Sequence, residues 1–256
     1  KTPITPVPTP LTGLNLPEEV RVLALLGADS PSPLVGRTDL VMLIFYHPRL
    51  GKASFLSVPP DLFVYIPGQT MQRLYTAYAL GESRALLDTL EYNLGVRPDR
   101  YALVPIDAFV YFIDNLGGID LTLLEPIPGE CGGLPGGKIH MDGQLALCYV
   151  RLREGLSEDQ RNVRQQEFLN QIFLRMARGG NLVKLPQFYE LYRTRVQSNL
   201  GPGELLDAVP LALTLGDPGR IGFFHFSSNE LSVCSIPGQL PVNVFLPRGA
   251  AFRSKS

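Results

Sequence analysis

The chain has 256 residues, 45% apolar and 18% charged, with a formal net charge of −1. That length fits one large domain or two small ones, and the apolar content supports a packed core, which excludes a disordered or collagen-like chain. No global basic field exists to hold nucleic acid, yet 18 of the 23 cations are Arg, the better planar partner for phosphate or carboxylate.

The opening KTPITPVPTPLT carries Pro at every second or third position. It reads as an extended spacer, a stalk or a disordered end, so residues 1–16 are taken as a linker and 17–256 as one folded domain. Near-continuous apolar runs at Val20–Leu26, Leu40–Tyr46 and Ala53–Val58 suit buried strands, and their hairpin-like spacing predicts a mixed sheet. The pattern turns helical between Ser83 and Leu94, with Leu86, Leu87, Leu90 and Leu94 on one stripe. Tyr101–Val104 reads as a strand, and Asp107–Leu116 as a helix stopped by Gly117-Gly118. Ile119–Leu124 is strand-like, Glu125–Lys138 a Gly/Pro-rich loop, and Asp142–Val150 a short helix. Ser157–Arg178 is the longest helical pattern, opened by a capping box of Ser157 and Gln160. Phe188–Val196 and Glu204–Leu215 are further helices, the second ended or kinked by Pro210. Ile221–Phe226 closes the series as a strand. Strands alternating with helices predict an α/β layered fold.

No apolar run approaches the roughly 20 residues of a spanning helix. The chain starts at Lys1 without Met, which leaves room for an upstream signal or anchor. Cys148 lies in an apolar stretch and reads as a buried thiol. Cys131 and Cys234 sit in Gly-, Pro- or Ser-containing segments and are the pair able to join in an oxidising compartment. His47, His140 and His225 are placed in a turn, a loop and a strand. None has metal-ligand spacing, and no nucleophile elbow, P-loop or dinucleotide fingerprint occurs.

Three constellations carry possible chemistry. Asp29 follows one strand and Asp39 opens the next, so both fall at one end of the sheet. Two carboxylates there suit Mg²⁺, which takes few protein oxygens together with substrate phosphates; alternatively Asp29 caps a turn and Asp39 pairs with Arg37. Arg151 and Arg153 precede a helix on which Arg161, Arg164 and Gln165 share a face. Phe168, Ile172 and Met176 continue that face. The pattern suits an amphiphile with an anionic head and a long tail, or else a solvated charged face. Asp61, after Val58-Pro59-Pro60, and Arg73 form the third set, in which spacing alone decides nothing.

Taken in order, Leu26-Gly-Ala-Asp29, Gly36-Arg37-Thr-Asp39, Leu56-Ser-Val-Pro-Pro-Asp61, Leu74–Gly81, Asp114-Asn-Leu-Gly-Gly-Ile-Asp120, Met141-Asp-Gly through Arg153, and Asp159–Gln166 resemble the LytR-CpsA-Psr family of extracytoplasmic cell-wall enzymes. The resemblance covers roughly residues 20–178. It implies an αβα layered domain with a central mixed sheet and an apolar lipid-binding tunnel between sheet and helices, anchored outside the cell membrane by an upstream helix. It implies a phosphotransferase that moves a phospho-linked glycopolymer from a polyprenyl-pyrophosphate carrier onto peptidoglycan or another wall acceptor, with Mg²⁺ as cofactor and pyrophosphatase activity as a side reaction. Asp29 and Asp39 would serve the metal. Arg37 and Asp61 would lie in the active-site segments, with Asp39 or Asp61 as base. Arg73, Arg151, Arg153, Arg161, Arg164 and Gln165 would hold the phosphates, and Phe168, Ile172 and Met176 the lipid tail. Two positions depart from the family pattern. Pro60 stands where the family usually has Arg, and Tyr75 where it usually has Asn, although Arg73 keeps the charge of the family's Lys. Pro60 supports an alternative reading, a catalytically weak or inactive polyprenyl-phosphate-binding protein. A transcription regulator is disfavoured by near-neutral charge and the lack of a helix-turn-helix pattern.

Overall fold

A computed structural model describes residues 7–11, 13–29, 38–152, 158–177, 184–236 and 242–247. Its centre is a six-stranded sheet in the order β10-β3-β2-β1-β6-β9. Strands β1 (Arg21–Ala28), β2 (Thr38–His47) and β3 (Lys52–Val58) pair antiparallel, as their spacing predicts. β6 (Arg100–Pro105) runs parallel to β1, and β10 (Ile221–His225) parallel to β3. β9 (Gln197–Ser198) adds antiparallel to β6. The sheet is mixed, as expected.

The first three strands are apolar on both faces because both are covered. Along β1 the alternate residues Val22, Ala24 and Leu26 are fully buried against Leu86 and Leu90 of α1 (Ala77–Leu94). Gly81 and Glu82 interrupt α1 with non-helical angles, so its regular part starts where the leucine stripe begins, near Ser83. On the opposite face, α2 (Ile106–Leu116), α3 (Gly143–Arg151), α4 (Glu158–Ala177), α5 (Leu185–Arg195) and α6 (Pro202–Thr214) complete the layers.

Two glycines are structurally required. Gly117 ends α2 at φ 79°, and the Gly117 and Gly118 N–H groups cap the carbonyls of Asp114 and Ile113. Gly143 opens α3 where a Cβ would lie 2.3 Å from the Val110 carbonyl oxygen. The Asp114 carboxylate accepts the Gly143 N–H at 2.7 Å, and Asp142 caps the Leu145 N–H at 2.8 Å. These bonds lock α3 onto α2.

Several expectations are corrected. The disulfide joins Cys131 to Cys148, not Cys131 to Cys234, and Cys234 is an exposed thiol. Cys148 is therefore no inert core thiol: it staples the Gly/Pro-rich segment onto α3. Pro210 does not end its helix, because α6 runs through it to Thr214. Leu206, whose carbonyl would have accepted the missing N–H, is exposed, so water can satisfy that oxygen. Three short antiparallel pairs surround the main sheet: β4 (Phe63–Tyr65) with β5 (Met71–Arg73), β7 (Ile119–Leu123) with β8 (Gly137–Met141), and β11 (Leu231–Ile236) with β12 (Val242–Pro247). Of these six strands the sequence pattern marks only β7. His140 consequently sits in β8, not in a loop.

Upstream of Pro17, the Leu11 and Leu14 N–H groups bond the carbonyls of Tyr92 and Gly95, and Leu14 packs on the α1 side of the core. The capping residue assigned to Ser157 lies outside the described residues. Among the described residues no helix is long and apolar enough to cross a membrane.

Candidate functional site

A cavity of about 1070 Å³ lies between the sheet and the helical layer. Its floor is a row of register neighbours, Met42, Leu25 and Ala102, on β2, β1 and β6. Phe109 and Phe112 of α2 and Phe188 of α5 also line it. The roof is one face of α4. Arg161, Gln165, Phe168, Ile172 and Met176 all line the cavity. They span about 22 Å of helix at 1.5 Å per residue. The face is polar on its first turns and apolar beyond, as the sequence predicts.

Most of the charged lining groups are delivered at or just beyond the end of a strand or helix. Asp29 directly follows β1. Gly27 pairs with Leu40 but Ala28 pairs with Thr38, so Asp39 is the extra residue of a bulge. Such a bulge re-aims a side chain at the end of a ladder, and here it delivers Asp39 to the cavity. Asp61 follows β3. Arg73 ends β5, and the next turn carries Tyr75. The two segments are tied together: the Tyr75 N–H donates to the Pro60 carbonyl at 3.0 Å and the Leu74 N–H to the Leu62 carbonyl at 2.8 Å. Thr38 at the head of β2 donates its hydroxyl to the Tyr75 carbonyl at 3.4 Å. Arg151 ends α3.

Asp29, Asp39, Asp61, Arg73, Arg151, Arg161 and Gln165 therefore converge on one cavity, although the sequence scatters them over more than 130 residues. Arg151 Nη2 donates to Asp39 Oδ2 at 3.0 Å. Arg73 Nη1 lies 3.4 Å from Asp61 Oδ1 and donates to the Tyr75 hydroxyl at 3.2 Å; Arg73 Nη2 donates to the Asn243 carbonyl at 2.6 Å. Arg161 is only 8% exposed. Gln165 Nε2 donates to the Val150 carbonyl at 3.3 Å, linking α4 to α3.

Arg164 departs from the set. It does not line the cavity, and its guanidinium lies 4.9 Å from the centre of the Tyr149 ring. At 100° per residue it is turned about 60° from Arg161, away from Gln165, and the Tyr149 ring occupies that side. Arg37 and Arg153 lie outside the described residues. Pro60 and Tyr75, the two departures from the family pattern, also line the cavity, and the structure adds a charged lining group that the sequence pattern does not single out, Glu130. Glu130 adjoins Cys131, so the disulfide to α3 holds it there. Its only signal in the sequence is that adjacency.

Among the described residues, no cluster of three or more His, Cys, Asp or Glu forms a metal cage. Described charges in the lining are the cations Arg73, Arg151 and Arg161 against the carboxylates Asp29, Asp39, Asp61 and Glu130. With three cations against four carboxylates, that set carries one negative charge in excess and does not by itself neutralise a pyrophosphate. Two carboxylates at adjacent strand ends fit the sparse oxygen donor set of Mg²⁺, which draws its other ligands from phosphate and water.

The LytR_cpsA_psr family model matches residues 11–229. The probable cell wall biosynthesis protein LcpB of Corynebacterium glutamicum is 34% identical over 152 residues, 58% of this chain and 36% of LcpB. The polyisoprenyl-teichoic acid–peptidoglycan teichoic acid transferase TagU of Oceanobacillus iheyensis is 26% identical over 191 residues, 72% of this chain and 60% of TagU. This chain thus spans less than two thirds of the length of either relative. The crystal structure of Bacillus subtilis TagV superimposes with a TM-score of 0.77 at 22% identity, covering 93% of this chain and 95% of that one.

Proposed function

The chain belongs to the LytR-CpsA-Psr family, and from that premise we propose that it transfers a phospho-linked glycopolymer from a polyprenyl-pyrophosphate carrier to peptidoglycan or another cell-wall acceptor. The observation that carries this reading is the single cavity whose Arg- and Asp-lined part continues into an apolar part along one face of α4. Arg73, Arg151 and Arg161 bind the phosphate oxygens through charge-assisted hydrogen bonds. Phe168, Ile172 and Met176 take the hydrocarbon. Asp29 and Asp39 would hold Mg²⁺, which would supply neutralisation of charge on the phosphates. An acceptor hydroxyl oxygen bonds to the sugar-linked phosphorus while the bond from that phosphorus to the bridging oxygen breaks. Asp39 or Asp61 takes the hydroxyl proton, and polyprenyl phosphate leaves. Phosphoryl transfer of this kind needs positioned charge more than covalent catalysis. Cleavage of the same bond by water is the pyrophosphatase side reaction.

Cellular location follows from the same reading: the domain works outside the cytoplasmic membrane, tethered by an upstream segment. The Cys131–Cys148 disulfide supports an oxidising compartment. The deciding experiment supplies a polyprenyl-pyrophosphate-linked glycopolymer, a peptidoglycan oligomer and Mg²⁺, and follows the phosphodiester product and polyprenyl phosphate by mass spectrometry. Both products support transfer; a chain that binds the donor yet yields neither is a carrier protein instead. Pro60 favours that second reading, because it lines the cavity at a position where the family usually supplies a guanidinium. Under it, Pro60→Arg gains turnover that the native chain lacks.

A further inference from the structure

Resting on the reading of this cavity as a phosphate site, we infer that Tyr75 is a positioning residue that fixes the Arg73 guanidinium for a phosphoryl oxygen. Arg73 meets three fixed partners. Its Nη1 donates to the Tyr75 hydroxyl at 3.2 Å and faces Asp61 Oδ1 at 3.4 Å, and its Nη2 donates to the Asn243 carbonyl of β12 at 2.6 Å. The guanidinium carbon also lies 5.6 Å from the centre of the Tyr75 ring, within the range of a cation–π contact. Arg73 Nε is buried and has no hydrogen-bond partner among the described residues. A guanidinium carries five N–H donors in one plane. Nη1 is taken up by Tyr75 and Asp61, whereas Nη2 gives one of its two N–H groups to Asn243, so the side chain is oriented and its second Nη2 N–H is left for a ligand oxygen.

Tyr75 is the element that sets this orientation. Its backbone is pinned from two sides, by the Pro60 carbonyl at 3.0 Å and the Thr38 hydroxyl at 3.4 Å, so the phenol is presented from a rigid turn. The Asp61 contact is longer than the hydroxyl contact and adds charge more than direction. Holding Arg73 before the ligand arrives removes the rotamer entropy that a loose side chain loses on binding. Arg73, Tyr75, Asp61 and Pro60 all line the cavity, so the guanidinium that Tyr75 orients is already at the site.

Calorimetric titration with geranyl pyrophosphate, and with geraniol as the headless tail, tests this on the native chain, Tyr75→Phe, Arg73→Met and the double variant. Tyr75→Phe is expected to weaken geranyl pyrophosphate binding roughly three- to tenfold, the worth of one ordinary hydrogen bond acting through a neighbouring group. Geraniol binding and the melting temperature stay unchanged. In the Arg73→Met background Tyr75→Phe adds no further loss, because the hydroxyl then has no guanidinium to hold. Equal losses in both backgrounds, or none in either, overturn the inference. If the native chain binds geranyl pyrophosphate and only the Tyr75 effect is missing, the function proposed above survives; if the native chain does not bind it, both fall.

Discussion

Arg151 Nη2 donates to Asp39 Oδ2 across 3.0 Å, joining the last residue of α3 to the bulge at the head of β2. Their side chains are 46% and 32% exposed. An ion pair that open contributes about 0–1 kcal/mol to stability, so its value lies in placing two groups of the site in register. Arg151→Gln is expected to shift the melting temperature by less than about 3 °C. The same change weakens geranyl pyrophosphate binding about tenfold or more through the lost charge-assisted bonds. Calorimetry on one preparation reads both effects, and a large melting shift with unchanged affinity would contradict the assignment.

Asp39→Ala removes one of the two proposed Mg²⁺ ligands. Mg²⁺-dependent cleavage of geranyl pyrophosphate should fall by at least about a hundredfold, on the scale of losing one electrostatic group at a phosphoryl centre. Unchanged turnover in Asp39→Ala eliminates the metal role.

Met176 stands at the apolar end of the α4 stripe and lines the cavity. Native affinity is expected to rise from geranyl to farnesyl to geranylgeranyl pyrophosphate as more hydrocarbon leaves water. Met176→Trp should flatten that dependence by filling the space and leave inorganic pyrophosphate binding unchanged. A length dependence that survives the substitution places the tail elsewhere.

The Cys131–Cys148 bridge spans a sequence separation of 17. Chain-entropy arguments give a closed loop of that size about 3 kcal/mol. Cys131→Ser/Cys148→Ser should therefore lower stability by a few kcal/mol in urea unfolding. Alkylation of the denatured, unreduced native chain should add one group, at Cys234, and mass spectrometry counts it. Two unlabelled cysteines other than 131 and 148 would refute the pairing.

Tyr78 is 2% exposed and donates its hydroxyl to Gln197 Oε1 at 2.6 Å. Burial, with smaller contributions from Tyr101 and Glu82, pushes its pKa up to about 12 from 10.0. The folded value is the higher, so this stabilisation is complete below pH 10 and is lost as pH rises from 10 towards 12. The urea midpoint should fall across that window in the native chain. Tyr78→Phe should show a shallower fall there, from a lower starting stability, because Gln197 loses its donor.

Much of this was legible because it is local. The α4 stripe follows a 3.6-residue period, and the stop at Gly117 needs only a residue that accepts positive φ. β1, β2 and β3 carry near-continuous apolar runs, and the meeting of Asp29 with Asp39 follows from a short connection between antiparallel strands. The short pairs β4–β5 and β11–β12 were not legible, since three to six residues give too little periodicity and their partners are chosen by neighbouring elements. The Arg73 clamp depends on one of those hairpins through Asn243. Arg164 shows the same limit: periodicity put it on the edge of the face, and the ring of Tyr149 decided which way it turned.

By itself the amino-acid order determined the layered α/β class, the family, and the sequence of a polar then an apolar stretch on one helix, since these rest on spacing along the chain. Only the tertiary structure decided which cysteines join, that α6 continues through Pro210, and that Tyr75 and Glu130 line the same cavity as Arg151. Those outcomes depend on contacts between residues far apart in the chain, where packing and loop closure, not local periodicity, select the partner.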